Sequence, residues 1–316
     1  MSLEKPYRPG AGHPPPYLAG RRREQDEFKK LLTQTVIMQN LVLTGLRGLG
    51  KTVLLDTFRP QALAAGWLWA GTDLSEAASV SEESLAVRLL TDLSVVTAST
   101  SIGEDEIRGL GFEAPSTTVT RYLTIDVLRA VYDGQPGLVA DRLKAVLLVV
   151  HRLVGKRIIF AYDEAQNMAD HATKEQYPLS LLLDVFQSIQ RQGVPFMLVL
   201  TGLPTLFPNL VEARTYAERM FRVVSLDRLT DAESREAVTK PIQRNPVKLT
   251  EPSIESIIKL SAGSPYFIQF ICREVYDVFA QQLAVGVKAP IPLAEITQKL
   301  DTDFFAGRWA RLTNRQ

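Results

Sequence analysis

The chain has 316 residues, more than one average domain needs, and its 46% hydrophobic and 22% charged residues fit a globular protein. Its formal net charge of +1 excludes a strongly basic chain, so composition gives no indication of nucleic-acid binding. The single cysteine, Cys272, excludes an internal disulfide, and its apolar neighbours predict a buried helical residue. No apolar run reaches the roughly 18 residues of a transmembrane helix, and the amino terminus lacks the apolar segment of a signal peptide. We therefore expect a cytoplasmic protein that does not contact a membrane.

The first half of the chain predicts an arm followed by helices and strands. Proline and glycine indicate an irregular arm over residues 1–20, and apolar periodicity indicates the elements after it. These are a helix at 21–32, a strand at 41–44, a helix at 51 to about 58, a strand at 66–72, and helices at 81–93 and 140–154. Residues 97–120 show little periodicity, so we predict a loop with short turns there. The stretch 76–150 is predicted as a helical insertion.

The second half predicts further strands and then helices alone. Short apolar runs favour buried parallel strands at 158–162 and 195–200, with a last strand at 223–226. The predicted helices lie at 178–191, 231–239, 252–261, 265–283 and 293–305. Alternation of strands and helices predicts an α/β fold with a doubly wound parallel sheet, followed by a C-terminal all-helical lid domain. We place the α/β domain at 21–229 and the lid at 230–316.

A glycine-rich segment joins the first predicted strand to the next helix. It matches the phosphate-binding pattern G-x-x-x-x-G-K-[ST], known as Walker A. The segment reads Gly45-Leu46-Arg47-Gly48-Leu49-Gly50-Lys51-Thr52 and is followed by Val53. Such a loop turns N–H groups inward and adds the positive potential of a helix N-terminus. Lys51 would reach the β- and γ-phosphates of a nucleotide, and the Thr52 hydroxyl would hold Mg²⁺. A chance glycine-rich turn is the weaker interpretation, because a strand precedes the loop and a helix follows it.

An acidic pair ends the strand predicted at 158–162. Apolar residues leading into Asp163-Glu164 form the Walker B pattern. Asp163 would hold Mg²⁺, and Glu164 would act as a general base toward the attacking water. The alternative, a strand end capped by acidic residues, is common but less consistent with the upstream loop. The separation from Lys51 leaves room for a second strand and the helical insertion, so Asp163 would end the third strand of the sheet.

Polar residues after the next strand are weaker candidates. The Thr201 hydroxyl either contacts the γ-phosphate or the attacking water, or it only caps a strand end. Arg214, Arg219 and Arg222 follow in a helix-like segment. One of them could reach the nucleotide of a neighbouring subunit as an arginine finger, although surface arginines are usually only solvated.

These motifs occur in an order that resembles the AAA+ ATPases. The matching segments are Tyr17-Leu18-Ala19-Gly20-Arg21, the phosphate loop, Asp163-Glu164, Thr201 and Ala262-Gly263-Ser264-Pro265-Tyr266. From about residue 9 to residue 312 the chain resembles bacterial ATP-binding proteins near the origin-recognition-like and signal-transducing (STAND) branches. That resemblance implies an ATP-binding core with a helical lid.

The resemblance also implies roles for individual residues. The stretch from Leu18 to Arg21 would lie near the adenine, Thr201 matches the sensor 1 residue, and Arg219 matches the finger. Many AAA+ proteins carry a sensor 2 arginine at the start of a lid helix. Here Gly263-Ser264-Pro265 resembles the STAND G-x-P motif instead, in which the proline touches the base. This departure favours a slow nucleotide-gated switch over a ring-type motor.

We therefore expect an ATPase that hydrolyses ATP with Mg²⁺ and uses the nucleotide state as a conformational switch. The alternative is a nucleotide-sensing scaffold that recruits DNA or protein partners with negligible turnover. Glu164 argues against the scaffold, because a sensor needs no general base. A P-loop kinase fits less well, since no acceptor site is readable. A GTPase is disfavoured, since the guanine-reading Asn-Lys-x-Asp motif is absent.

Partners other than nucleotide are implied by the resemblance alone. DNA is one, and a nucleotide-dependent homo-oligomer is another if Arg219 is a finger. The Arg21-Arg22-Arg23 run is a dense basic cluster, but a solvated helix start explains it as well. Trp67 or Trp69 could stack on a base, although a half-buried strand explains them better. Relatives often continue into a winged-helix domain beyond a segment similar to residues 304–309, and we expect no such domain within this sequence.

Overall fold

The computed structural model describes residues 5–10, 12–108, 116–245 and 249–285, so the helix predicted at 293–305 lies outside the described residues. The chain forms two compact units. The sheet unit consists of Asp26–Gly45 and Thr57–Ser225. The helical unit consists of Met1–Gln25, Leu46–Asp56 and Leu226–Gln316. The domain boundaries placed at 20/21 and 229/230 stay predictions.

Outside the insertion between β2 and β5, the described residues contain helices and strands in the alternation that the sequence predicts. The strands in chain order are β1 (Asn40–Gly45), β2 (Leu68–Ala70), β3 (Ser101–Arg108), β4 (Ser116–Tyr122), β5 (Ile158–Tyr162), β6 (Phe196–Gly202) and β7 (Phe221–Leu226). The helices in chain order are α1 (Arg22–Leu32), α2 (Lys51–Ala64), α3 (Glu82–Thr97), α4 (Ile125–Asp133), α5 (Val139–Val154), α6 (Pro178–Arg191), α7 (Leu206–Ala213), α8 (Ala217–Met220), α9 (Asp231–Thr239), α10 (Glu251–Ser261) and α11 (Pro265–Val285).

Five strands form a parallel sheet in the order β2-β5-β6-β1-β7. Every residue of β1, β5 and β6 is buried, as expected for apolar strands covered on both faces. Three of the four neighbouring pairs are not consecutive in sequence, and the consecutive pair β5 and β6 is parallel, so the connections cross over through helices. The predicted doubly wound parallel α/β sheet is confirmed.

Helices cover both faces of this sheet. Side chains that alternate along the strands, such as Val42, Phe160 and Leu198, join one apolar core with α3, α5 and α6. Trp69 points to the opposite face, where its ring packs against that of Phe28 from α1 in a T-shaped arrangement with a centroid distance of 6.3 Å. The sheet therefore has a packed helical layer on each side.

The insertion between β2 and β5 differs from its prediction. The segment 97–120, predicted as a loop, contains the antiparallel hairpin of β3 and β4, and α4 was not predicted. The Thr97 hydroxyl donates to the carbonyl of Leu123 and closes the base of the hairpin. The prediction failed because the hairpin lacks the alternation of apolar residues that marks a half-buried strand. The threonine-rich sequence of β4 favours a strand only through its β-branched residues, which is a weaker indication.

The helical unit has its own core, built where α9, α10 and α11 pack together. Residues 5–10 and 12–20 hold no helix or strand, as predicted for the arm. Tyr7 nevertheless lies in this core, and its hydroxyl donates to the carbonyl of Val238. Cys272 is buried beside it, and burial raises the pKa of the thiol. The predicted buried helical cysteine is confirmed.

Within the described ranges, none of the helices combines the length and the hydrophobicity that a membrane crossing requires.

Candidate functional site

The phosphate loop leaves the sheet at the end of β1 and enters α2. Gly48 and Gly50 adopt φ angles of +80° and +85°, which side-chain-bearing residues rarely accept. The loop can therefore reverse direction within a few residues and deliver the chain into α2 at Lys51. This is the strand–loop–helix context that the sequence predicts for residues 45–53.

Two groups of the helical unit donate hydrogen bonds to carbonyl oxygens of the loop. The backbone N–H of Tyr266 donates to the carbonyl of Gly48 at 3.2 Å. Nη2 of Arg21 donates to the carbonyl of Leu49 at 3.0 Å and to that of Asp227 at 2.9 Å. The main chain at the middle of the loop is thus fixed by Arg21, directly before α1, and by Tyr266 at the start of α11.

Arg21 is 5% exposed, and Nη1 lies 3.5 Å from a carboxylate oxygen of Glu24. Burial lowers the pKa of the guanidinium, and the nearby Glu24 charge partly opposes that shift. Through its bond to the carbonyl of Leu49, Arg21 supports the loop. The place of Arg21 near the adenine, which the resemblance implies, stays a prediction.

The start of α2 supplies the groups that suit a phosphate. The helical ladder opens with the N–H of Leu54 donating to the carbonyl of Gly50 at 2.9 Å. The first turn therefore includes Lys51, Thr52 and Val53, and a helix N-terminus concentrates N–H groups and positive potential. Lys51 is buried, and its Nζ donates to the carbonyl of Leu46 at 3.1 Å. A buried ammonium, a hydroxyl and main-chain N–H groups form a donor set that fits an anion.

The acidic pair lies at the end of β5, in the sheet unit. Asp163 is 3% exposed, and its Oδ1 accepts hydrogen bonds from the Thr201 hydroxyl and from the N–H of Glu164, the latter at 2.8 Å. Thr201 is fully buried inside β6, which continues to Gly202, so the strand ends later than predicted. The structure therefore brings Asp163, Glu164 and Thr201 together, with Thr201 orienting the carboxylate.

A glutamine to which sequence reasoning gave no role orients Glu164. Nε2 of Gln166 donates to Oε2 of Glu164, and its Oε1 accepts from the N–H of Leu203 at 3.0 Å. Gly202 leaves the room for this arrangement, because a Cβ there would lie 2.6 Å from the Gln166 oxygen. The only sign of this contact in the sequence is that Gln166 lies two residues after Glu164.

A third carboxylate, also missed by the sequence, follows β2. Asp73 forms an isolated parallel bridge with Asp163, whose N–H donates to the carbonyl of Thr72 at 3.2 Å. Partial burial raises the pKa of Asp73, and the charges of Asp163 and Glu164 add to that shift. The end of this sheet therefore concentrates negative charge, which favours a cation.

The three arginine candidates lie in different environments. Arg214 makes a bidentate ion pair with Asp184, with N···O distances of 2.9 and 2.6 Å. Arg222 pairs with Glu27 at 2.9 Å. Arg219 is exposed on α8, and its side chain makes no hydrogen bond or ion pair with any described residue. Of the three, only Arg219 has a guanidinium that is available to a ligand.

Four other residues, Leu18, Trp67, Trp69 and Pro265, are candidates for contact with the base of a nucleotide or of DNA. Pro265 is the first residue of α11, directly before the Tyr266 N–H that binds the loop. Leu18 is half-buried in the arm. Trp67 is buried, donates to the carbonyl of Leu32 and lies under Arg157. Trp69 is half-buried in β2 and packs against Phe28, as the interpretation of a half-buried strand predicts.

No protein-family model and no curated protein matches the chain. Solved structures do match it. The Walker-type ATPase PABY2304 of Pyrococcus abyssi is 16% identical over 95% of this chain and 77% of its own, with a TM-score of 0.57. The Aeropyrum pernix ORC2 protein, solved in ADPNP–ADP complexes, is 14% identical over 93% and 71%, with a TM-score of 0.59. The A. pernix ORC1 protein, solved in complex with DNA, is 15% identical over 92% and 67%, with a TM-score of 0.56.

These similarities establish the fold. The chain has the fold of the Orc/Cdc6-like, Walker-type AAA+ ATPases, a P-loop core with a C-terminal helical domain. The resemblance drawn from the order of the sequence motifs is confirmed at the level of the fold.

Proposed function

We propose that the chain is a Mg²⁺-dependent AAA+ ATPase that acts as a nucleotide-dependent conformational switch. The observation that carries this proposal is that β1 and β5, the strands that lead into the two motifs, lie in one parallel sheet. β1 and β5 flank β6, with Thr44 paired to Gly202 and Tyr162 paired to Leu200. Both motifs therefore begin at the carboxyl edge of the sheet, where parallel α/β folds bind their ligands.

The phosphate loop and Lys51 would bind the phosphates of ATP. Gly48 and Gly50 permit the turn, and the first turn of α2 adds N–H groups and positive potential. The Thr52 hydroxyl and the Asp163 carboxylate supply the oxygen ligands that Mg²⁺ prefers. When bound, Mg²⁺ neutralises the negative charge that develops on the phosphates during transfer. Thr201 would hold Asp163 in the orientation that this task needs.

Glu164 would act as the general base, with Gln166 holding its carboxylate in place. A proton of the attacking water passes to a Glu164 oxygen while the water oxygen bonds to the γ-phosphorus and ADP departs. The protein's contribution is positioning and electrostatics, because phosphoryl transfer asks for little covalent chemistry.

The switch would operate through the helical unit. The Tyr266 N–H at the start of α11 binds the carbonyl of Gly48 within the loop itself. A change of nucleotide state at the loop would therefore reach a lid helix directly. In this scheme Leu18 and Pro265 would contact the base, as the resemblance implies.

The proposal is tested by two substitutions and a matched control. Lys51→Ala is expected to abolish ATP binding, measured by calorimetry. Glu164→Gln is expected to keep ATP binding and to lower phosphate release by about 100-fold or more, the usual contribution of a general base. Lys156→Ala removes an exposed lysine in the turn before β5 and should change neither quantity. Unchanged ATP affinity in Lys51→Ala would refute the assignment.

A second candidate function is nucleotide-gated recruitment of DNA or a protein with negligible turnover. The A. pernix ORC1 protein, which shares this fold, was solved in complex with DNA. Steady-state phosphate release with and without DNA distinguishes the two functions. Turnover that stays near zero under both conditions would favour recruitment over the switch ATPase.

Assembly is tested separately. Because Arg214 and Arg222 are paired within the sheet unit, Arg219 is the arginine that we propose as a finger toward a second copy of the chain. Light scattering with a slowly hydrolysed ATP analogue should show an oligomer. A monomer under all nucleotide conditions would contradict the finger role.

A further inference from the structure

Two neighbouring peptide groups of the phosphate loop are bound through their carbonyl oxygens. The Tyr266 N–H holds the carbonyl of Gly48, and Arg21 holds the carbonyl of Leu49. Leu49 is itself buried. The middle of the loop is therefore held in place by hydrogen bonds, in addition to the φ angles that its glycines permit.

Peptide geometry gives these bonds a consequence. A trans peptide group is planar, and its C=O and N–H point in opposite directions. Fixing the carbonyls of Gly48 and Leu49 therefore fixes the N–H groups of Leu49 and Gly50, which point away from Tyr266 and Arg21. The groups that would bind phosphate are thus oriented before any ligand arrives, which lowers the ordering cost of binding.

Arg21 is suited to this task because it is buried and bonded on several sides. Its Nη2 uses one hydrogen for the carbonyl of Leu49 and the other for the carbonyl of Asp227, between β7 and α9. Its Nη1 faces Glu24 at 3.5 Å. The same side chain therefore joins the phosphate loop to the segment that leads into the lid helices.

We propose that Arg21 is a positioning residue that orients the phosphate-binding N–H groups of the loop, and that it is not a ligand of the adenine. This inference rests on the proposed ATP binding. It predicts that the loss of Arg21 weakens the binding of any triphosphate, with or without an adenine base, because the N–H groups of the loop contact only the phosphates.

The test compares the affinities of ATP and of inorganic triphosphate, both with Mg²⁺, by displacement of a fluorescent ATP analogue. Arg21→Met keeps most of the buried volume while it removes the hydrogen bonds. We expect the Kd values of ATP and triphosphate to rise by the same factor, about 10- to 100-fold, which corresponds to a lost charge-assisted hydrogen bond. A second variant, Arg21→Met with Glu24→Gln, avoids leaving the Glu24 charge without its partner and should show the same equal loss.

Arg23→Met is the matched control. Arg23 is an exposed arginine on α1, two positions after Arg21, and among the described residues it has no side-chain partner. It should change neither Kd. A general loss of stability would also weaken the binding of both ligands equally. Urea unfolding of each variant therefore has to show that the compared chains are folded.

The outcomes separate this inference from the proposed function. A loss for ATP with no loss for triphosphate would overturn it and restore the adenine contact. Unchanged affinity for both ligands, or a wild-type chain that binds ATP but not triphosphate, would also overturn it. In these cases Lys51→Ala still abolishes ATP binding, so the ATPase proposal stands. A wild-type chain that binds neither ligand would refute both proposals.

Discussion

Two strand ends of the parallel sheet carry the candidate chemistry, and they are built in different ways. The loop after β1 presents main-chain groups, which other groups fix from the carbonyl side. The end of β5 presents the carboxylates of Asp163 and Glu164, which hydrogen bonds from Thr201 and Gln166 fix. One end depends on backbone conformation and the other on side-chain partners.

This difference predicts different sensitivities to mutation. A main-chain site is impaired by any residue that cannot adopt its φ angles, even when no contact is lost. A side-chain site is impaired by the loss of a hydrogen-bond donor, even when the backbone is unchanged. Substitutions at the two strand ends test this contrast.

The largest effect is expected at the β5 end. Asp163→Asn keeps the shape of the side chain but removes the charge that would hold Mg²⁺. ATP turnover should fall by about 100-fold or more, and ATP binding should lose its dependence on Mg²⁺. Calorimetric titrations of ATP with Mg²⁺ and with a chelator measure this dependence. A variant that still binds ATP more tightly with Mg²⁺ would remove Asp163 from the metal site.

The next effect is expected at Thr201, whose hydroxyl donates to the Asp163 carboxylate. Thr201→Val is nearly isosteric and removes only that donor from a fully buried position. Turnover should fall by about 10- to 100-fold, because hydrogen bonds to charged groups contribute roughly 1.5–3 kcal/mol. Thr201→Ser keeps the hydroxyl and should recover most of the activity. Equal losses in both variants would show that the methyl group, and not the hydroxyl, is what matters.

The loop should respond to backbone strain alone. A Cβ added at Gly50 meets no atom within 4 Å, so Gly50→Ala tests only its φ of +85°. That conformation costs an L-residue about 1–2 kcal/mol, so ATP affinity should fall about 10-fold.

Gly66→Ala is the matched control for this loop variant. Gly66 has a φ of +82° and equally open surroundings, but it lies in the turn after α2. It should lower the free energy of unfolding by a similar amount and leave ATP affinity unchanged. An equal loss of affinity in both variants would mean that global stability governs binding.

The smallest effect is expected at Gln166, whose uncharged amide orients the Glu164 carboxylate. Gln166→Ala should lower kcat about 5-fold, the value of one ordinary hydrogen bond, and leave ATP affinity unchanged. Rapid-mix phosphate-release kinetics measure the two quantities separately. A change in affinity without a change in kcat would place Gln166 in binding and not in catalysis.

Local patterns explain what the sequence predicted well. The bounds of β5 and α6 agree with their predictions, because a short apolar run and a helical period after Pro178 depend on near neighbours. α2 continues to Ala64 although it contains Pro60, beyond the predicted end near residue 58. The hairpin of β3 and β4 was missed because its strands lack an apolar alternation.

Side-chain partners distant in sequence explain what could not be predicted. The three arginines at 214, 219 and 222 look alike in the sequence. Only the structure shows Asp184 paired with the first and Glu27 with the last. Asp73 likewise reaches Asp163 only through the parallel arrangement of β2 and β5.

The sequence alone determined the phosphate loop, the acidic strand end and the parallel α/β class, because each depends on a pattern of residues that are close together in the chain. The tertiary structure decided the contacts of Arg21. Its hydrogen bonds reach Leu49 and Asp227, which are 28 and 206 positions away. Such contacts depend on how the whole chain packs, so the sequence could not show that this arginine binds the loop.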